Sequence, residues 1–165
     1  MRVILTLLTT MFITACSTVQ HIPAKERNIE KIFYSKVGFK NTWSAVQHWM
    51  TSENIPISKI DREGGFIYAE YWPSDMGSTI DCGKIKGQMG FSSAKMQDIN
   101  VKLTVLFLQL NDNIELSINV FGEGSVAIRD ALTDRQLSGS KKMHCVSTGK
   151  LESELKAFLS NRSII

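Results

Sequence analysis

The sequence predicts an α+β fold in which an antiparallel sheet carries two helices packed on one face. Apolar residues alternate with other residues over residues 57–72 and again over residues 99–120, and a turn sequence interrupts each stretch. Residues 42–53 and 149–160 instead have apolar residues at helical spacing. Because each of these helices has one apolar stripe, each needs a sheet face to cover it.

The first half of the domain has the order strand, helix and hairpin. Residues 32–37 are β-branched and aromatic, which favours a short strand. Asn41 can cap the first helix, and the glycines of Gly64-Gly65 suit the turn of the first hairpin. The apolar face of this helix comprises Trp43, Val46, Trp49 and Met50.

The second half contains the clearer sheet signal. Residues 73–95 are rich in glycine and serine and predict a long loop, interrupted by one strand at about residues 79–85. In the second hairpin the alternating residues are Ile99, Val101, Leu103, Val105 and Phe107, then Ile114, Leu116, Ile118 and Val120. Residues 130–142 are typical of an exposed connection, and Ser147 or Thr148 can cap the last helix.

The N-terminus has the pattern of an export signal. Residues 1–16 read MRVILTLLTTMFITAC, with one basic residue, a short apolar run and then small residues. The apolar run is too short to cross about 30 Å of hydrocarbon as a stable helix. The segment Ile13-Thr14-Ala15-Cys16 resembles the lipobox of bacterial lipoproteins. The resemblance implies that residues 1–15 are a signal peptide and that Cys16 carries the lipid.

The resemblance also predicts location. Ser17 follows the cysteine where an aspartate would imply inner-membrane retention, so the resemblance implies the outer membrane and a periplasm-facing domain. Residues 16–30 then form a lipidated N-terminus and flexible tether, and residues 31–165 form a single domain. The 19 basic and 16 acidic residues are scattered along the chain, which argues against nucleic acid as a partner.

The predicted state of the other two cysteines follows from this location. If Cys16 carries lipid, Cys82 and Cys145 remain as an even pair in an oxidising compartment, which predicts one disulfide. The alternatives are two buried free thiols or a redox pair, although the sequence has no CxxC motif to favour the latter.

A second resemblance concerns the fold. Residues 31–72, with Trp43 and Val46 on the helix and the Gly64-Gly65 turn, are similar to the helix-grip units of the BamC-type lipoproteins of the outer-membrane β-barrel assembly machinery. Those proteins have two such units, whereas this chain has room for one. The segment 145–152, CVSTGKLE, also resembles small uncharacterised proteobacterial lipoproteins, which implies no activity.

The sequence gives little support for a catalytic site. His21, His48 and His144 are the only candidates for a general base or a soft metal ligand at neutral pH. His144 and Cys145 are neighbours, but on an extended chain they point to opposite sides. We therefore predict no catalytic residues, no metal site and no cofactor.

The aromatic strand at residues 66–72 suggests a partner surface. Alternate strand residues face opposite ways, so Tyr68, Tyr71 and Trp72 cannot all lie in one core. Exposed aromatics at this hairpin would suit a protein interface. The alternative is that the first helix and the loop after residue 72 cover them.

Together these observations predict a non-enzymatic, membrane-anchored periplasmic lipoprotein that binds an envelope protein as an accessory or assembly component. The alternative is a carrier or sensor that holds an apolar small molecule or lipid between helix and sheet. An envelope enzyme that uses unrecognised carboxylates is the third possibility.

Overall fold

The computed structural model describes residues 20–73, 75–86 and 92–165. The predicted signal peptide, residues 1–15, and the predicted lipidation site Cys16 lie outside the described residues. Within the described ranges the chain has an α+β fold dominated by antiparallel sheet. No helix in these ranges is long and apolar enough to span a membrane.

Nine strands and three helices follow one another along the described chain. The strands are β1 (Gln20–Ile22), β2 (Ile32–Ser35), β3 (Ile57–Asp61), β4 (Phe66–Tyr71), β5 (Ile80–Asp81), β6 (Lys84–Lys86), β7 (Ser92–Leu110), β8 (Asn113–Asp130) and β9 (Lys141–Ser147). The helices are α1 (Phe39–Ser52), α2 (Met76–Thr79) and α3 (Lys150–Asn161). The larger sheet has the order β3-β4-β7-β8-β9-β5, β2 also pairs with β8, and β1 and β6 form a separate two-stranded ribbon.

The long hairpin of β7 and β8 is the centre of the larger sheet. Its strands contain 19 and 18 residues, and the predicted turn after Leu110 is confirmed. β4 pairs with β7 on one side, while β2 and β9 pair with successive parts of β8 on the other. The pairing continues well beyond the alternating residues 99–120, because backbone hydrogen bonds in a ladder do not require apolar side chains.

Gly122 explains part of this extension. A Cβ at this position would lie 2.9 Å from the carbonyl oxygen of Asn100 on β7, and closer still to the side chain of Ile80. A residue without a side chain therefore allows β8 to lie against its neighbours where apolar alternation has ended.

One set of alternate residues on β7 and β8 lies in the core. Val101, Leu103 and Val105 are completely buried, as are Leu116 and Ile118. The helices add Trp43, Val46, Trp49 and Met50 from α1 and Leu151, Leu155 and Leu159 from α3. Helix α1 contacts β7 and α3, and α3 also contacts β8. The predicted apolar stripe of α1 is thus confirmed as its buried side, whereas in α3 Phe158 of the predicted stripe is only partly buried.

Helix α1 begins earlier than predicted. Its first residue is Phe39 and its N-cap is Gly38, so the predicted cap Asn41 lies inside the first turn. The Asn41 side-chain amide donates to the carbonyl oxygen of Val37 at 3.2 Å. The Asn41 side chain therefore donates to a backbone carbonyl group that precedes the helix, instead of accepting from a backbone N–H of the first turn.

Helix α3 begins beside a buried hydrogen-bond chain. Its N-cap is Gly149, and the predicted cap Ser147 lies two residues earlier. The Ser147 hydroxyl accepts from the Gly149 backbone N–H at 3.0 Å and donates to the buried Glu152 carboxylate at 2.8 Å. This hydroxyl thus connects the end of β9 to the first turn of α3.

Residues 76–86 contain more elements than the single predicted strand. The chain forms α2 and β5, turns at Cys82 and Gly83, and continues as β6. β5 pairs with β9 and β6 pairs with β1, so the predicted strand is divided between two sheets. β9 likewise includes Lys141 and Lys142, which the sequence assigns to an exposed connection.

Residues 20–30, which the sequence assigns to a flexible tether, lie along the domain. β1 pairs with β6, and the His21 ring Nε2 donates to the carbonyl oxygen of Cys82 at 2.7 Å. Arg27 forms an ion pair with Asp81 at 3.4 Å, and Glu30 forms one with Lys156. The packed part of the chain therefore includes residues 20–30 as well as the predicted domain at 31–165.

Cys82 and Cys145 form the predicted disulfide, with an S–S distance of 2.02 Å. Both cysteines are buried. Cys145 lies in β9, and Cys82 lies between β5 and β6, so the disulfide fastens the ribbon end of the chain to the larger sheet.

We expect Cys82→Ser combined with Cys145→Ser to lower the free energy of unfolding by about 4 kcal/mol, because the bridge spans a sequence separation of 63. For a domain of this size the loss corresponds to a fall in Tm of roughly 10 °C. Thermal unfolding followed by circular dichroism measures it, with the oxidised wild-type chain as the reference. An unchanged Tm would contradict the role given to the bridge.

Candidate functional site

On the larger sheet, the residues of β2, β4, β7, β8 and β9 that alternate with the core residues form a second face, which we call the outer face. Its large exposed apolar side chains are Ile32, Tyr34, Leu106, Leu108, Leu110 and Phe121. Their exposed fractions range from 40% to 55%. A group of exposed apolar side chains on one face of a sheet is a candidate interaction site.

The strand register places these side chains side by side. Leu106 lies opposite Phe66 on one side and Ser117 on the other, and Ser117 lies opposite Ile32. Directly opposed residues in antiparallel strands have Cβ atoms about 5 Å apart. The row therefore has one residue from each of four strands, and Ser117 is its single polar residue.

The next row contains Leu108, Glu115 and Tyr34. A hydrogen bond with the Glu115 carboxylate is the main cause that raises the pKa of the Tyr34 phenol, and the negative charge of Glu115 adds to it. Tyr34 therefore adds an exposed aromatic ring and a polar group to this row.

The other end of the outer face is polar and internally paired. Glu70 accepts hydrogen bonds from the Tyr68 hydroxyl at 2.8 Å and from the Asn100 amide. Lys102 donates to Glu123 at 2.7 Å, and this hydrogen bond raises the pKa of Lys102 and lowers that of Glu123. The hydrogen-bonding groups at this end satisfy one another. They are therefore better suited to orient a bound protein than to act as an acid or base.

A cleft of about 380 Å³ continues the polar end past the β-bulge in β7. Asp98 has a φ of 53° at this bulge, and its carboxylate accepts from the Ser125 hydroxyl at 3.2 Å. His144 lies opposite Glu123 on the neighbouring strand. The serine hydroxyl donates to a carboxylate and not to a histidine, so this geometry does not activate it as a nucleophile.

The three residues predicted as a partner surface do not lie on one face. Tyr68 lies on the outer face opposite Thr104, whereas Tyr71 lies opposite the buried Val101 and is only partly exposed. Trp72, just beyond β4, is 71% exposed. Tyr68 therefore shares the surface that carries the exposed leucines, and Tyr71 does not.

Trp72 and Tyr71 instead border a separate cleft of about 390 Å³ near the C-terminal end of α1 and the start of α3. Glu53 and Glu154 also line it. Burial is the main cause that raises the pKa of Glu154, and the negative charge of Glu53 raises it further, while Lys150 opposes the shift. This cleft has a polar, acidic lining, in contrast to the apolar rows of the outer face.

The three histidines lie in three different places. His21 donates to a backbone carbonyl, His48 contacts Arg162 at 3.2 Å, and His144 lies on the polar end of the outer face. Among the described residues, no three His, Cys, Asp or Glu side chains lie together as a possible metal site.

The sequence contains one indication of an apolar outer face, which is easily overlooked beside the alternating core residues. Ile99 to Phe107 alternate as expected for core residues, but positions 106, 108 and 110 are leucines where a solvated face should be polar. The apolar run from Val105 to Leu108 is therefore apolar on both sides of the strand.

Comparison with protein-family models, with curated proteins and with solved structures yields no significant match. The functional argument for this chain therefore depends on the geometry of the outer face and on the residues that surround it.

Proposed function

We propose that this protein is a non-enzymatic lipoprotein, held in the outer membrane by lipid on Cys16, whose domain binds another envelope protein as an accessory or assembly component. The observation that supports this most strongly is the outer face. Leucines on β7 and the apolar residues of β2 form an exposed surface across several strands. The partner is a protein that presents a complementary apolar surface.

The shape of the outer face favours a protein over a small molecule. Small-molecule sites are concave and enclose most of the ligand, whereas the rows that contain Leu106 and Leu108 lie on an open sheet. Paired polar groups border the apolar rows at Glu70 and Lys102. An apolar centre with a polar border is the usual anatomy of a protein interface.

The alternative of an apolar ligand between helix and sheet has less support. Trp49 and Met50 of α1 are completely buried, as are Leu103 and Val105 of β7, and all four belong to one core cluster. The rings of Trp43 and Phe107 are 4.8 Å apart in the same region. Side chains thus occupy the space that such a ligand would need.

The arrangement of titratable groups supports a non-enzymatic role. Catalytic sites bring a nucleophile, a base and an orienting group together, and the described histidines lie in separate places. The carboxylates of Glu70 and Glu123 accept hydrogen bonds from neighbours on the sheet.

The helix-grip-like arrangement, with both long helices on one face of the sheet, is part of this proposal. Burial of one alternate set on β7 and β8, with exposure of the other set, supports it. In this arrangement the helices cover the core side and leave the outer face free for the partner.

Cys16→Ser should move the protein from the membrane fraction to the soluble fraction, because two or three acyl chains make anchoring effectively permanent. Fractionation with immunodetection measures the distribution, and intact-mass analysis of the wild-type protein measures the acyl groups. Recovery of wild-type protein without acyl groups, together with unchanged sedimentation of the variant, would refute the anchor.

Leu106→Lys combined with Leu108→Lys should abolish association with the partner with little loss of stability, because both side chains are exposed, the new lysine at position 108 would lie opposite the Glu115 carboxylate, and the new ammonium groups would enter an apolar interface. We expect partner recovery after in-cell cross-linking to fall at least about tenfold, while Tm changes by less than about 3 °C.

Leu132→Lys combined with Leu137→Lys is the matched control. These leucines are 83% and 55% exposed and lie in the connection between β8 and β9, away from the leucines of β7. The control should retain the partner. Equal loss in both double variants, or retention in both, would show that the outer face is not the binding surface.

A further inference from the structure

The ribbon of β1 and β6 presents a basic face to solvent. Gln20 lies opposite Lys86 and Ile22 lies opposite Lys84, and opposed residues of an antiparallel pair share a face. All four residues are exposed. Within the described part of the chain, neither lysine forms an ion pair.

The other side of the ribbon is fastened to the domain. His21 donates to the carbonyl oxygen of Cys82, and Ile85 packs against the core cluster. Gly83 has a φ of 81°, and a Cβ there would lie 2.7 Å from the backbone nitrogen of Ala24. The disulfide from Cys82 to Cys145 extends the connection to β9. The basic face therefore has a defined orientation relative to the larger sheet.

The ribbon begins very close to the proposed lipid attachment. Only residues 17–19 separate Cys16 from Gln20, the first residue of β1. Four Cα–Cα steps of about 3.8 Å span at most about 15 Å. If Cys16 is acylated, the ribbon cannot move far from the lipid headgroups, whatever conformation these residues adopt.

We infer that the face formed by Ile22, Lys84 and Lys86 docks on an anionic lipid surface and sets the orientation of the domain on its membrane. The inference rests on the proposed lipid anchor and adds a second contact with the membrane. Two ammonium groups match anionic headgroups in charge, and Ile22, 37% exposed, contributes apolar surface between them and the anchor. The acyl chains hold the protein on the membrane, and the basic face determines which side approaches it.

The first test measures amine labelling of the acylated full-length mature protein in phosphatidylcholine vesicles with and without phosphatidylglycerol. Labelling of Lys84 and Lys86 should fall about tenfold in the anionic vesicles, and 1 M salt should restore it by screening. Lys36 and Lys40, which are exposed near the start of α1, should keep their labelling. Equal labelling of all four lysines in both vesicles would overturn the inference.

The second test removes the anchor so that weak docking becomes measurable. Residues 16–165 carrying Cys16→Ser should bind phosphatidylglycerol vesicles weakly at low salt. Adding Lys84→Glu and Lys86→Glu should reduce the partition coefficient at least about 30-fold, which is equivalent to about 1 kcal/mol for each lysine.

Lys36→Glu combined with Lys40→Glu is the control in the same background, because it changes the net charge by the same amount. It should leave most of the binding intact. Equal loss in both double variants would indicate attraction by net charge alone and overturn the inference. The intact mass of the wild-type protein separates the two proposals: a chain without acyl groups refutes the anchor, whereas an acylated chain with unprotected lysines refutes only the docking face.

Discussion

The backbone pairing of β7 with β8 is the constraint on which the rest of the structure depends. β4, β2 and β9 pair directly with this hairpin, and β3 and β5 join the sheet through them. Because side chains alternate along a strand, the register that buries Leu103 must also expose Leu106 and Leu108. The exposed apolar surface is thus a direct consequence of the same pairing that forms the core.

The disulfide has a corresponding role at the N-terminal end of the domain. β1 and β6 contain three residues each, and a ribbon this short has little stability of its own. It is held by His21 on the Cys82 carbonyl and by the bridge from Cys82 to Cys145. A lipid on Cys16 would therefore lie only four residues before Gln20, where the part of the chain that is fixed to the sheet begins. In the proposed function, this restricts how the outer face is presented to a partner in the envelope.

The sequence predicts the elements whose burial follows a regular period. The stripe of α1 and the centre of the β7–β8 hairpin belong to this group, and the disulfide follows from the predicted compartment. The β1–β6 pairing could not be predicted, because these short strands are about 60 residues apart and lack an apolar pattern. The part of β8 around Gly122 was harder to predict, because this residue acts through its missing side chain. The outer face was overlooked because leucines at positions 106 and 108 resemble core residues until the register is known.

The central claim is that the outer face of the anchored domain contacts a protein partner. Photo-cross-linking in cells, with a photoreactive amino acid at one position at a time, tests it most directly. Placed at Leu106 or Tyr34, the probe should yield the same cross-linked partner, whereas at Lys40 or Ala157, which are exposed on the long helices, it should yield none. Cross-links from the helix positions alone, or equally from all four positions, would contradict the account.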